Sequence, residues 1–297
     1  MGANLRILGE TGFPGLSTGY NFLFSSCLNL YVYPKSKLAL KYLRYLLTAA
    51  NGKGHGIHSP FVFEFITRVL NDRNVYACYP VLEKSRSDWR GDTTPLSITD
   101  FGAGSRVTPA VTRTIASIAR SSLKPRKFSQ LLFRMVKFYQ PQNILELGTS
   151  LGLTTSYLSL GNPSARIITM EGAPAVAATA LSNFKQLQLD NIKLVEGNFD
   201  NTLDPVLESL TAKLDFVFID GNHRKLPTLQ YFQKILKHLG TDSLLIFDDI
   251  HWSSEMEAAW SEIKSDPAVR LTIDLFFIGI VFFRKEILEP QHFILRF

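Results

Sequence analysis

The sequence predicts an α/β chain: a doubly wound, mostly parallel seven-stranded sheet ending in an antiparallel hairpin, with an N-terminal helical accessory region. Three observations predict it. From Asn143 onward, short apolar runs alternate with amphipathic stretches, the pattern of a parallel sheet covered on both faces. The first run, Ile144-Leu-Glu-Leu, passes through Gly148-Thr-Ser-Leu-Gly152 into a helix start, where free backbone N–H groups can cradle a cofactor. The last two runs, 271–276 and 278–284, are separated by too little chain for a crossover, so they must pair antiparallel.

Taken in order, residues 1–34 are rich in Gly, Ser, Asn and aromatics and lack periodicity, and read as a poorly ordered extension that upstream translation could have added. The apolar run Tyr20–Tyr33 is interrupted by Asn21, Ser25, Ser26 and Asn29 and is shorter than the ~20 residues a membrane span needs. It also lacks the basic start and cleavage site of a signal peptide. Residues 35–127 read as a mainly helical accessory or lid region. Leu38, Leu40, Leu43, Leu46 and Leu47 mark an amphipathic helix that Asn51-Gly-Lys-Gly-His-Gly stops. Ser59 and Pro60 then supply the N-cap and first position of a second helix. His55 and His58 read as loop residues, since no other ligand accompanies them. Residues 71–99 look irregular. Asp100-Phe-Gly-Ala-Gly-Ser-Arg106 imitates a cofactor turn, but no strand–helix–strand pattern follows. Residues 105–125 read as a loop leading into a basic helix, with Val107, Val111, Ile115 and Ile118 at helical spacing, that could close over the site.

The catalytic domain is expected over 128–297. A helix over 128–139 precedes strands at 143–147, 166–170, 192–195, 214–219 and 243–247. Helices at 152–160, 174–187, 202–210, 226–238 and 253–264 follow them in turn.

Apolar residues make up 45% of the chain and charged residues 20%, the balance of a globular protein. The net charge of +6 is uneven: residues 1–140 carry 19 Lys+Arg against 7 Asp+Glu, and the remainder 13 against 19. A basic half beside an acidic half could steer an anionic partner. Cys27 and Cys78 are too few for a disulfide framework and fit a reducing, cytoplasmic setting.

The turn's spacing separates cofactors. A pyrophosphate-binding turn wants G-x-G-x-x-G. Here three residues separate the glycines, and Glu146 stands two before the first, where it would repel phosphate and suit an ammonium or sulfonium. Glu146-Leu-Gly-Thr-Ser-Leu-Gly resembles the first motif of class I S-adenosylmethionine-dependent methyltransferases, and among them the metal-dependent, catechol-type O-methyltransferases. The resemblance covers about residues 128–285. It implies S-adenosylmethionine at Glu146, Gly148, Thr149, Ser150 and Gly152. Its ribose would lie at Glu171 and Gly172, its adenine at Asn198 and Phe199, with Asp220 close by.

Strand ends supply the rest. The fourth strand ends on Asp220-Gly-Asn-His and the fifth on Asp248-Asp-Ile-His-Trp. Three carboxylates at adjacent strand ends repel one another unless a cation joins them. An all-oxygen set suits Mg²⁺, Mn²⁺ or Ca²⁺, with Mg²⁺ favoured here. The resemblance makes Asp220, Asp248 and Asp249 the metal ligands. Asp249 replaces the amide of the catechol-type enzymes, and the paired acids look more like enzymes that modify sugars and antibiotic precursors. It also gives the catalytic roles to His223, as the base, and Asp220; His251 is the alternative base and Trp252 a pocket wall. The expected function is metal-assisted O-methylation of a small-molecule hydroxyl. Nucleic acid is the rival acceptor, for RNA ribose or base methylation, although Asp220-Gly-Asn-His is not the Asn/Asp-Pro-Pro-aromatic tetrad of base-amine enzymes. A non-catalytic nucleotide-binding protein is the other rival, and an oxidoreductase is disfavoured by the turn. A homodimer is compatible with all of these.

Overall fold

The computed structural model describes residues 32–98 and 111–297. The Asp100–Arg106 loop and residues 1–31 of the expected extension lie outside them.

Eight strands form one sheet. In chain order they are β3 (Asn143–Leu147), β4 (Arg166–Glu171), β5 (Ile192–Glu196), β6 (Leu214–Ile219), β7 (Leu239–Asp248), β8 (Leu271–Asp274), β9 (Ile278–Phe282) and β10 (Gln291–Ile294), following a separate pair β1 (Pro95–Ile98) and β2 (Val111–Thr114). The spatial order is β10-β8-β9-β7-β6-β3-β4-β5. Strands β5, β4, β3, β6 and β7 run parallel, and β9 pairs antiparallel with both β7 and β8. The predicted hairpin is therefore β8–β9. The sheet exceeds the predicted seven strands by β10, which adds parallel to β8. Its four residues, Gln-His-Phe-Ile, are too short and too polar to signal a strand by pattern.

Successive residues on each strand feed opposite layers. Ile144, Phe216, Phe218 and Ile246 pack under α2 (Pro60–Phe65), the π turn that continues it, and α5 (Arg126–Tyr139). Leu145, Val217, Ile219, Leu245 and Phe247 face α8 (Phe199–Glu208), α9 (Lys225–Leu236) and α10 (Ser254–Lys264). The remaining helices are α1 (Lys35–Thr48), α3 (Cys78–Gly91), α4 (Ile115–Ser122), α6 (Leu153–Gly161) and α7 (Pro174–Gln186).

Helix α3 falls in the stretch expected to be irregular. It buries only Tyr79, Leu82 and Arg86, so its apolar repeat is too sparse to read. Ion pairs Arg86–Glu83 and Lys84–Asp88 brace it instead. Val111–Thr114, expected to lead into a helix as part of one repeat, is extended and pairs with β1 before Thr114 caps α4 by accepting from the Ser117 N–H.

Candidate functional site

The chain leaves β3 toward β4 and β5, then returns to β6 on the other side, so β3 and β6 flank the switch point of the sheet. Parallel α/β sheets bind ligands outside the strand C-termini at such a point. A cavity of about 570 Å³ opens there, within the ~300–1,000 Å³ usual for small-molecule sites. A hollow of about 330 Å³ at the opposite end, lined by Gln142, Asp215 and Arg284 among others, holds no comparable group of strand-end acids.

The turn after β3 is built for close approach. Gly148 has φ 105°, and a Cβ there would stand 2.0 Å from the Asp220 carbonyl oxygen. Only glycine lets the ends of β3 and β6 meet. The Gly148 and Thr149 N–H groups donate to Met170 O, and the Asp220 N–H to Leu147 O. Ser150, Asn222 and Asp249 all hold φ near 50° and all line the cavity. Left-handed backbone at non-glycine residues is a cost that clusters at functional sites.

Gly148, Ser150, Glu171, Gly172, Asn198, Phe199, Asp220, His223, Asp248, Asp249 and Trp252 line this one cavity. Glu171 accepts from the Ser150 and Ala173 N–H groups at 2.8 and 2.9 Å, joining the turns after β3 and β4. Asn198 is the N-cap of α8, its Oδ1 accepting from the Asp200 N–H at 3.0 Å, which starts that helix three residues before the predicted point. Phe199 meets the Tyr231 ring edge-on.

Three expected cofactor contacts do not line the cavity. Gly152 turns the chain into α6 and lies against the Phe184 ring, where a Cβ would come within 2.6 Å. Thr149 is buried, with its hydroxyl 2.6 Å from that of Thr169. Glu146 is fully buried beneath α6, its Oε2 accepting from Thr155 and Thr169 while Oε1 has no partner. Burial raises its pKa to about 8, against the opposing hydroxyl bonds of Thr155 and Thr169.

At the ends of β6 and β7, ligand atoms of Asp220, His223 and Asp248 lie within 4.8 Å of one another, and Asp249 lines the same wall. His223 Nε2 is 3.6 Å from Asp220 Oδ1. The sequence reading missed the fourth member of the group. Lys124, between α4 and α5, sends its ammonium to Asp248 Oδ2 and to Asp220 Oδ2, the latter at 3.3 Å. Burial would lift the Asp220 carboxyl, but Lys124 and then His223 hold it below its usual value. Asp248 and Asp249 are pushed up by burial; Asp220 raises Asp248 further, and Lys124 opposes the rise at both. Asp248 Oδ1 is buried without a partner. An orphaned carboxylate oxygen among acids is the donor chemistry that a hard divalent cation takes. Lys124 also finds its place through tertiary structure, and Lys-Pro at 124–125 was its only local signal.

Arg113, Ile118, Ser121 and Ser122 complete the cavity from the accessory region. His251 is elsewhere: its Nδ1 meets Glu257 Oε1 at 2.9 Å and its Nε2 meets Asp274 Oδ2 at 2.8 Å. With both ring nitrogens engaged it has no role as a base. Glu257 in turn binds Tyr33 and Lys41, tying α1 to the domain.

A doubly wound sheet with a switch-point crevice, a glycine turn at β3 and acids at β4, β6 and β7 is an arrangement in which such sheets bind nucleoside ligands. Comparison with known proteins narrows this. Residues 145–250 match the family model described as a methyltransferase domain. A catechol O-methyltransferase from Niastella koreensis is 31% identical over 146 residues, covering 48% of this chain and 62% of that protein. A tRNA (guanine-N(7)-)-methyltransferase from Mycoplasma mobile is 29% identical over 123 residues, covering 38% of this chain and 61% of that one. The chain thus spans less than two thirds of the length of these relatives. The crystal structure of cofactor-bound Rv0187 from MTB shares the fold, with a TM-score of 0.50 at 18% identity, covering 75% of this chain and 95% of that one. Residues 145–250 are thus similar to methyltransferase domains, and a catechol O-methyltransferase is among the relatives that share this region. Among the described residues no helix is long and apolar enough to cross a membrane.

Proposed function

We propose that this chain transfers a methyl group from S-adenosylmethionine to a hydroxyl of a small molecule. The observation that carries the reading is one cavity with two chemically distinct walls. Gly148, Ser150, Glu171, Gly172, Asn198 and Phe199 form a wall of turn backbone, carboxylate and aromatic ring suited to a nucleoside. Asp220, His223, Asp248, Asp249 and Trp252 form a wall suited to a hydroxyl acceptor. Glu171 would take the ribose hydroxyls, Asn198 and Phe199 the adenine. Glu146, buried behind the turn, would brace it through Thr155 and Thr169.

Transfer is an in-line displacement. His223 Nε2 takes the acceptor's hydroxyl proton. The oxygen's electron pair forms the bond to the methyl carbon as the carbon–sulfur bond breaks, and that pair stays on sulfur as the neutral thioether. Asp220, 3.6 Å from His223 Nε2, stabilises the imidazolium that forms. Asp220, Asp248 and Asp249 would hold a divalent cation, which when bound lowers the pKa of a hydroxyl beside it.

The similarity to the catechol O-methyltransferase supports a small-molecule acceptor, and the basic accessory region keeps RNA as the competing one. The test is methyl transfer from radiolabelled S-adenosylmethionine to a panel of catechols and hydroxylated sugars, run beside total tRNA. Label in a small molecule is expected. Label in tRNA alone, with a salt-dependent gel shift, would replace this reading with RNA methylation. Failure to bind S-adenosylhomocysteine by calorimetry would end both. A cytoplasmic location and a homodimer accord with this reading and rest on the sequence alone.

A further inference from the structure

The acids at the ends of β6 and β7 already hold a cation, and it belongs to the chain. The Lys124 ammonium pairs with Asp248 Oδ2 and lies 3.3 Å from Asp220 Oδ2, with its side chain only 10% exposed. It is not a surface lysine that has drifted inward. The Lys124 carbonyl accepts from Arg86 Nη1 at 2.5 Å and from Ser129 Oγ at 3.3 Å. Arg86 is itself buried and paired with Glu83. Pro125 follows directly, which biases Lys124 toward extended backbone. Two helices, a buried arginine and a proline thus deliver one ammonium to the strand ends, 96 residues from Asp220 and 124 from Asp248 in sequence.

A divalent ion bridging Asp220 and Asp248 needs carboxylate oxygens at roughly 2.0–2.6 Å. The ammonium lies between these same two carboxylates, engaging the Oδ2 atom of each. We propose that Lys124 is the resident cation of the acceptor site, and that its ammonium and a divalent metal exclude each other there. The inference rests on the proposed methyl-transfer reading for its catalytic consequence, but not for the exclusion. With lysine in place, the site offers a fixed positive charge beside the acceptor oxygen, so transfer continues without added metal. When the four-carbon stem withdraws, the same carboxylates accept the ion. Lys124 therefore sets how tightly this chain holds metal and whether it requires it.

The experiment is a Mn²⁺ titration followed by electron paramagnetic resonance, on S-adenosylhomocysteine-loaded wild type, Lys124→Met and Lys124→Arg, with folding checked by thermal melts. Lys124→Met should bind Mn²⁺ at least tenfold more tightly than wild type, while Lys124→Arg, which keeps the charge, stays weak. Equal affinity in wild type and Lys124→Met would overturn the proposal. So would low-micromolar binding by wild type, a result that needs no variant to fold. In a second arm, chelator-treated wild type should retain methyl transfer and Lys124→Met should regain it only with Mn²⁺ or Mg²⁺. Wild-type transfer abolished by the chelator overturns the metal-independent role. If no protein transfers methyl at all, the proposed function fails, and the Mn²⁺ comparison still decides what Lys124 does.

Discussion

The two walls of the cavity are built by different means. The wall at β3–β5 is built within neighbouring strand–turn units: Glu171 holds Ala173 and, 21 residues back, Ser150, and Asn198 caps α8. The wall at β6–β7 is assembled across the chain, with Asp220, His223 and Asp248 meeting Lys124 from the segment before α5. Local turns can position a neutral, many-atom ligand through backbone N–H groups. A concentration of like charge cannot be stabilised locally, because each acid's neighbour on the next strand is another acid. Its counter-charge has to come from elsewhere, and burial of the acids makes that counter-charge obligatory.

The sharpest way to break the comparison is at Gly148, where both walls meet. Gly148→Ala forces a methyl group against the Asp220 carbonyl at 2.0 Å, and should cost about 3 kcal/mol of stability and abolish cofactor binding. Calorimetry and thermal melts check it; a stable variant that still binds would mean that the strand ends can part. Next in size is His223→Ala. Turnover should fall by about 10²–10⁴ with S-adenosylhomocysteine affinity within about threefold of wild type, since the residue belongs to the acceptor wall. Parallel losses in both would give it a structural role.

Glu171→Ala tests the other wall. We expect affinity for S-adenosylhomocysteine to drop by at least about tenfold, two charge-assisted hydrogen bonds being at stake, with a smaller change in the rate of bound enzyme. A change confined to the rate would reverse the assignment of the walls. A subtler effect comes from Glu146. Its folded pKa of about 8 lies above its ordinary value of 4.5, so the native state holds a proton that the unfolded chain releases. Stability of the free protein should therefore fall as pH rises from about 4.5 to about 8 and level off beyond. Glu146→Gln should remove this slope and raise the melting temperature at neutral pH. Melts across that range check both.

The smallest effect lies outside the cavity. His251 has its pKa raised, burial being outweighed by Asp274 and Glu257. Its contribution is full below the ordinary histidine value and is lost as pH rises through the raised folded one. Protection factors of the α1 amides, corrected for the intrinsic base-catalysed rate, should fall over that window in wild type and stay constant there in His251→Gln, because Glu257 secures α1 through Tyr33 and Lys41.

Much of this was legible beforehand because it is periodic or local. The strand–helix alternation, the Gly148 turn, and Glu171, Asp220 and Asp248 at strand ends follow from spacing and from where parallel strands stop. Helix α3 and strand β10 were not legible: one is held by ion pairs rather than an apolar stripe, the other by a neighbour already in place. Nor did spacing reveal that Gly152 lies against the Phe184 ring, or that His251 is locked between two carboxylates.

The amino-acid sequence by itself determined the sheet and the residues that end its strands, since a period of two and a glycine turn are properties of neighbouring residues. Tertiary structure alone decided which cation those acids meet. Coulomb attraction depends on distance in space and not along the chain, and nothing near Asp248 in sequence announces a lysine at 124.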